Sequence, residues 1–194
     1  MIQIKEIVNS IFTSKTYILY KEGTSNTWIV DIGDVKPVIE FLSDERKIVD
    51  GVFLTHGHFD HIYGLQSLIE FCPACRVFTT EFGKKSLASD KLNMSRYHGT
   101  PIIYSGDNVE VIHDKDHMIL FDREPELRFF ETPGHNPGCL TMVVGNFIFT
   151  GDAYIPGIGV NTQLPLANKE QAQESLNKIM KLAEGKKILS GHKV

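Results

Sequence analysis

Thr55-His56-Gly57-His58-Phe59-Asp60-His61 places four potential metal ligands within six residues, directly after the apolar run Gly51-Val52-Phe53-Leu54. The apolar run reads as a buried strand. Ile62, Leu65, Leu68 and Ile69 then recur at helical spacing until Pro73, which predicts a helix starting at about His61. The ligand-rich stretch therefore lies where a strand hands over to a helix. Alternation at the strand end can point His56 and His58 the same way, and the turn can bring Asp60 and His61 back beside them. Two metal ions can share such a loop. At the His and Asp frequencies of this chain, the pattern arises by chance on the order of once in a thousand sequences.

Three further segments repeat the arrangement: Thr132-Pro133-Gly134-His135, Phe149-Thr150-Gly151-Asp152 and Ser190-Gly191-His192. Each sets one His or Asp just after a run that reads as a strand. Five of the eight histidines thus fall at strand ends that can converge on one edge of a sheet, a placement that surface polarity does not explain.

Outward from these segments, the chain alternates strand-like and helix-like runs. Residues 16–20 and 27–31 flank the turn-rich Glu22-Gly23-Thr24-Ser25-Asn26 and predict a hairpin. Asp34 is placed to cap a helix carrying Val35, Val38, Ile39 and Leu42, and strand 76–79 follows the second helix. Residues 83–107 lose clear periodicity and read as a mixed segment of helix and loop, the kind that forms functional lids. Strands resume at 109–112, 118–121, 127–130, 140–144 and 146–150. Asn168 and Gln171 suggest a capping box for a helix whose apolar face is Ala172, Leu176, Ile179, Met180 and Ala183. Gly185 ends it, and residues 187–190 form a last strand. Two β-rich halves with one-faced helices predict two sheets packed together with helices outside, in one domain over residues 1–194.

Composition excludes several classes. The 194 residues are 42% hydrophobic and 23% charged, an ordinary globular balance. Twenty Lys+Arg against 24 Asp+Glu give a net charge of -4, and the longest basic runs are Lys84-Lys85 and Lys186-Lys187, so a nucleic-acid partner is disfavoured. The first residues lack the form of a signal peptide, and no run reaches the roughly 18 apolar residues of a membrane span. With an odd number of cysteines, three, the reading is a reducing, cytoplasmic setting with no membrane partner.

With these motifs, the sequence resembles the metallo-β-lactamase-fold hydrolase superfamily over nearly its whole length. The resemblance implies an αββα sandwich, a four-layer α/β (α+β) fold of two mixed β-sheets with helices on the outer faces. It also implies a dinuclear site: His56, His58 and His135 for the first metal, Asp60, His61 and His192 for the second, and Asp152 as the bridge. Thr132-Pro133-Gly134-His135 with Phe149-Thr150-Gly151-Asp152, followed by Gly157-Ile158-Gly159, is most similar to single-domain glyoxalase II-like thioesterases. Classical glyoxalase II has a helical C-terminal domain that contacts glutathione, whereas this sequence ends two residues after His192. It also reads Val160-Asn161-Thr162 where single-domain relatives carry an Arg-Thr-Asp type run. No substrate-binding residue is carried over.

The chemistry expected of such a site follows from its donors. Imidazole and carboxylate suit Zn²⁺, two per chain, and also accept Fe or Mn. A metal-bound hydroxide attacking a polarised carbonyl then makes a serine or cysteine nucleophile unnecessary, and Asp60 can orient that hydroxide as well as bind metal. A departing thiolate needs no proton donor, which favours a small thioester or ester over an amide. An iron persulfide dioxygenase using His56, His135 and Asp152, and a metal-binding protein without catalysis, are the competing readings.

Weaker signals surround the motif. Tyr154, two residues after Asp152, is a candidate donor to an oxyanion. Cys72-Pro73-Ala74-Cys75 reads as two structural thiols at a helix end, and Cys139 as a small packing residue. Tyr97 and His98 read as surface loop residues with a pocket role as the alternative, and His113 and His117 as solvated.

Overall fold

The computed structural model describes residues 1–121 and 125–194. β1 (Gln3–Val8), β2 (Lys15–Tyr20) and β3 (Asn26–Val30) form an antiparallel meander. β4 (Ile48–Phe53), β5 (Arg76–Thr79) and β6 (Val109–Val111) extend it in parallel, in the order β1-β2-β3-β4-β5-β6. The second sheet contains β7 (His117–Ile119), β8 (Glu126–Glu131), β9 (Leu140–Val144), β10 (Phe147–Gly151) and β11 (Lys187–Ser190). Its order is β11-β10-β9-β8-β7, antiparallel except for the β10–β11 pair. Four helices accompany the sheets among the described residues: α1 (Val35–Asp44), α2 (Leu65–Phe71), α3 (Glu81–Leu87) and α4 (Lys169–Leu182).

The alternation of side chains along each strand makes the layers. Trp28 and Val30 of β3 enter the core between the sheets, while Ile29 between them joins the core under the helices. The inter-sheet core joins Tyr17, Leu19, Phe53 and Phe78 of the first sheet to Leu127, Phe129, Met142 and Phe149 of the second. Phe53 crosses the gap to Phe129 at a ring separation of 5.4 Å. Val38 and Leu42 of α1 and Leu65 and Leu68 of α2 cover the outer face of the first sheet, and Ile179 of α4 covers Val143 and Ile148 of the second. This is the four-layer α/β sandwich expected from the sequence. No helix among the described residues is long and apolar enough to cross a membrane.

Several local expectations give way. β1 was not foreseen: it is an edge strand with a mostly wetted face, so its hydrophobic alternation is faint. The second helix does not begin at His61. Phe59–His61 form a 3-10 turn, and α2 starts at Leu65 because the intervening backbone is tied to Ile32, which donates to the His61 carbonyl (2.9 Å) and accepts from Gly64 (3.1 Å). Asp34 precedes α1 without capping it through its side chain. Its carboxylate instead accepts from the Ser10 amide and hydroxyl (2.7 and 2.9 Å) and the Tyr63 hydroxyl (2.7 Å). Residues 83–107 open inside α3, capped by Thr80, and then fold around buried Asn93, whose amide donates to the Ser86 and Ile102 carbonyls. Asn168 caps α4 by accepting from the Gln171 amide (3.0 Å), but Met180, expected on its apolar face, is exposed.

Strand direction sets where the motifs emerge. β8 and β10 both run antiparallel to β9, and β11 runs with β10, so the segments holding His135, Asp152 and His192 leave the same edge of the second sheet. The end of β4 meets that edge where the Leu140 amide donates to the Thr55 carbonyl (2.7 Å). Gly151 makes the approach possible: its φ is +49°, and a Cβ there would lie 2.6 Å from Thr55 Cβ.

Candidate metal centre

The seven side chains singled out by the motifs converge. Three overlapping groups have their donor atoms within 4.8 Å of one another: His56, His58 and His135; His56, His61 and Asp152; Asp60, His61 and His192. His58 Nδ1 faces His135 Nε2 at 3.1 Å, and His61 Nε2 faces His192 Nε2 at 3.3 Å. Asp152 spans both sides. Its Oδ2 lies 3.5 Å from His135 Nε2 and 3.2 Å from His192 Nε2, and its Oδ1 lies 3.4 Å from His61 Nε2. Asp60 Oδ2 reaches only the second side, 3.3 Å from His192 Nε2 and 3.6 Å from His61 Nε2.

The two sides differ electrically. Burial, reinforced by the neighbouring His61 and His58, holds the His56 pKa well below the ordinary histidine range. Burial and His135 push His58 down to about 3, and burial lowers His135 as well. These rings are neutral and offer lone pairs. Burial also acts against a charged His61, but Asp60, Asp152 and Asp31 outweigh it and raise its pKa well above the usual value. His192 is raised in the same way by Asp152 against the effect of burial. Burial would raise Asp152, yet His61 and His192 hold it well below the carboxylate range. The second side thus has a fixed negative charge that calls for a cation, supplied here by protons on imidazoles.

The donor set fits a metal. His56 Nε2 and Asp152 Oδ1 are buried without a hydrogen-bond partner, an arrangement that folded proteins avoid unless another ligand satisfies the atoms. Gly191 leaves room beside them: a Cβ there would collide with Asp152 Oδ1 and lie 2.9 Å from His61 Cε1. Nitrogen and oxygen donors in this mix suit zinc, iron and manganese.

Several supporting residues were not singled out in the sequence. Asp31, 1% exposed, follows β3 in the left-handed region at φ +55°, which Asp tolerates better than most residues. Its Oδ2 accepts from His61 Nδ1 (2.8 Å) and Thr55 Oγ1 (2.7 Å), and its Oδ1 from the Thr55 amide (2.7 Å). The His61 ring is thereby turned with Nε2 toward the cluster. The Asn161 carbonyl lies 3.1 Å from His135 Nδ1, the Phe12 carbonyl 2.8 Å from His192 Nδ1, and Asn136 Nδ2 3.1 Å from His58 Nε2. The available signal was a lone Asp closing an apolar strand; the carbonyl contacts have no side-chain signature.

A cleft of about 270 Å³ opens on the cluster, lined by His58, Asp60, His135, Asp152 and His192 together with Phe12, Phe59, Met94, His98, Asn161 and Leu164. His98 is an exposed loop residue, as read, and also takes the alternative pocket role by lining the wall, while its neighbour Tyr97 is exposed and outside it. Tyr154 does not line the cleft. Its ring packs against the apolar group of Cys139, Val143, Ile148, Ala153 and Ile179, because the turn after β10 is closed by Thr150 Oγ1 donating to the Tyr154 carbonyl (2.6 Å). Cys139 is buried there, as expected, and burial pushes its thiol pKa up. Cys72 and Cys75 are free, each thiol donating to a backbone carbonyl near the end of α2.

Known proteins resemble this chain in sequence and fold. The chain is 29% identical over 193 residues to a hydroxyacylglutathione hydrolase of Vibrio campbellii, covering 99% of this chain and 66% of that protein. It spans 55% to 66% of the length of curated relatives of this kind. Among solved structures, the BLEG-1 B3 metallo-beta-lactamase superposes with a TM-score of 0.89 at 26% identity, over 99% of this chain and 92% of that one. The di-iron-bound form of TTHA1623 superposes with a TM-score of 0.83 at 21% identity, over 98% and 92% of the two chains, a likeness of fold. The family model of the metallo-beta-lactamase superfamily matches residues 14–192, from the start of β2 to the last histidine of the cluster, and the chain belongs to that superfamily.

Proposed function

We propose that residues 1–194 form one metal-dependent hydrolase domain that cleaves a small thioester or ester at the His/Asp cluster. His56, His58 and His135 would hold one cation, Asp60, His61 and His192 a second, and Asp152 would bridge them. The observation that carries this reading is the position of Asp152, within 3.5 Å of imidazoles on both sides, with its Oδ1 buried and accepting no hydrogen bond. A cation pair held there would polarise a carbonyl and acidify water near neutral pH, and zinc is the metal best suited to that role.

The remaining work falls to the chain. No Ser, Thr or Cys is among the residues lining the cleft, so the nucleophile is water. Asp60, which lines the cleft, would accept a proton from that water and orient it. Asp31 keeps His61 in register through its Nδ1, and the Phe12 carbonyl does the same for His192. The lining holds two carboxylates and no Lys or Arg, and its one imidazole outside the cluster, His98, is stacked on Phe59, which supports thioesters and activated esters, whose leaving groups need no proton, over amides. The free thiols agree with a cytoplasmic setting.

An iron oxygenase built on His56, His135 and Asp152 would leave Asp60, His61 and His192 crowded around no cation, and the close packing of those three favours the hydrolase. The test is a set of matched thioester, ester and amide substrates assayed before and after chelation. Thioester and ester cleavage should disappear on chelation and return with zinc. Comparable amide cleavage, or activity surviving complete metal removal, would contradict the proposal. One iron per chain with oxygen uptake on a persulfide would replace it.

A further inference from the structure

Half of the cleft wall has no part in holding metal. Phe59 and His98 stack with ring centroids 4.3 Å apart and planes 10° from parallel, and Phe12 meets both edge-on, at 5.6 and 5.5 Å. Met94 and Leu164 complete this apolar side, and no Lys or Arg is among the lining residues. Phe59 is buried, but Phe12 is 58% exposed. A large apolar ring held in water is unfavourable, and its backbone adds to the cost: Phe12 and the β-branched Thr13 both lie in the left-handed region, at φ +52° and +55°.

The turn that bears Phe12 is nevertheless firmly tied. Asn9 donates to the Ser14 carbonyl (2.8 Å), and the Thr13 carbonyl accepts from the Lys193 amide (3.0 Å). The same turn supports the cluster: the Phe12 carbonyl meets His192 Nδ1, and Ser14 Oγ donates to the Asp60 carbonyl (2.7 Å). The backbone beneath Phe12 is thus fixed relative to the reacting centre, and Phe59 stands next to Asp60 in the chain.

We propose that Phe12, Phe59 and His98 form a preformed shelf that binds an uncharged aryl or compact apolar group of the substrate, with His98 as a specificity-determining residue. The inference rests on the hydrolase reading and names its substrate class. A flat group can pack against the exposed edges of the trio and complete its burial, whereas a carboxylate placed there would lose water without gaining a counter-charge.

The experiment uses the zinc-loaded chain and two thioester series, phenylacetyl against acetyl and succinyl esters of one small neutral thiol, and acetyl esters of benzyl against ethyl mercaptan. The aryl member should exceed the alkyl member in kcat/KM by about tenfold or more in at least one series, with the succinyl ester slowest in its own. Phe12→Ala and His98→Ala should bring that ratio near unity mainly through KM, and His98→Phe should restore it. Equal rates for aryl and alkyl members in both series, or a ratio indifferent to these variants, would overturn the shelf. If no thioester is cleaved, the hydrolase reading fails separately, and the shelf is judged by NMR titration with benzyl methyl thioether. Binding lost in His98→Ala and recovered in His98→Phe supports the shelf, and no binding to the wild-type chain overturns it.

Discussion

The two sides of the cluster reach similar crowding by opposite means. Burial acts first on every imidazole of the cluster: it keeps His56, His58 and His135 below the ordinary histidine range, whereas at His61 and His192 the neighbouring carboxylates together outweigh it. Asp60, His61 and His192 are held by opposite charges, with Asp31 behind His61 and the 9–14 turn behind His192. The first side carries no carboxylate of its own, and its His56 Nε2 is buried without a hydrogen-bond partner. The second lies at the junction of two chain segments and carries excess carboxylate, so a cation there replaces protons that the imidazoles otherwise supply. Burial fixes geometry cheaply where the ligands are neutral, while charged ligands require a counter-charge and a brace.

Asp152 belongs to both sides, and its removal should have the largest effect. Asp152→Ala is expected to lower metal content on both sides and to cost several kcal/mol of transition-state stabilisation, about a thousandfold or more in rate. Metal analysis beside steady-state rates checks this, and normal loading with normal turnover would break the shared bridge. The brace comes next. Asp31→Asn keeps the shape but weakens the contact to His61 Nδ1, and should cost about 10- to 100-fold in metal affinity on the second side or in activity. Equal weakening of both sides, measured by competitive metal titration, would show that Asp31 stabilises the fold at large. The smallest effect belongs to Tyr154→Phe. Its ring lies in the α4-facing apolar group, so turnover should stay within about twofold of wild type. A drop near a hundredfold would instead place its hydroxyl at the reacting centre, because losing one oxyanion donor costs about 10²–10³.

The sequence showed the cluster more clearly than its surroundings. His56, His58, Asp60 and His61 stand in one short stretch, and the other three ligand positions each follow an apolar run, so local pattern and strand direction were enough to bring them together. The sandwich was readable from two β-rich halves whose helices carry one apolar face, and the structure buries Trp28-Ile29-Val30 of β3 and Val52-Phe53 of β4 on both faces of their sheet. Asp31 was not readable, because its role depends on a contact with a ring 30 positions away. His98 was legible only as an alternative, because its part in the cleft follows from a stack on Phe59 across the 83–107 segment, where no periodicity marks the chain. Helical spacing after His61 was misleading because the ligand turn takes its conformation from Ile32 in another segment.

In the proposed centre, two unlike groups of residues hold two cations through one shared carboxylate. Metal content of the freshly purified wild-type chain and of His192→Ala, measured side by side, probes this arrangement. About two divalent cations are expected per wild-type chain, and about one in His192→Ala, where the neutral side keeps its ion. A single cation in the wild type, or loss of all metal in His192→Ala with the fold intact, would contradict it.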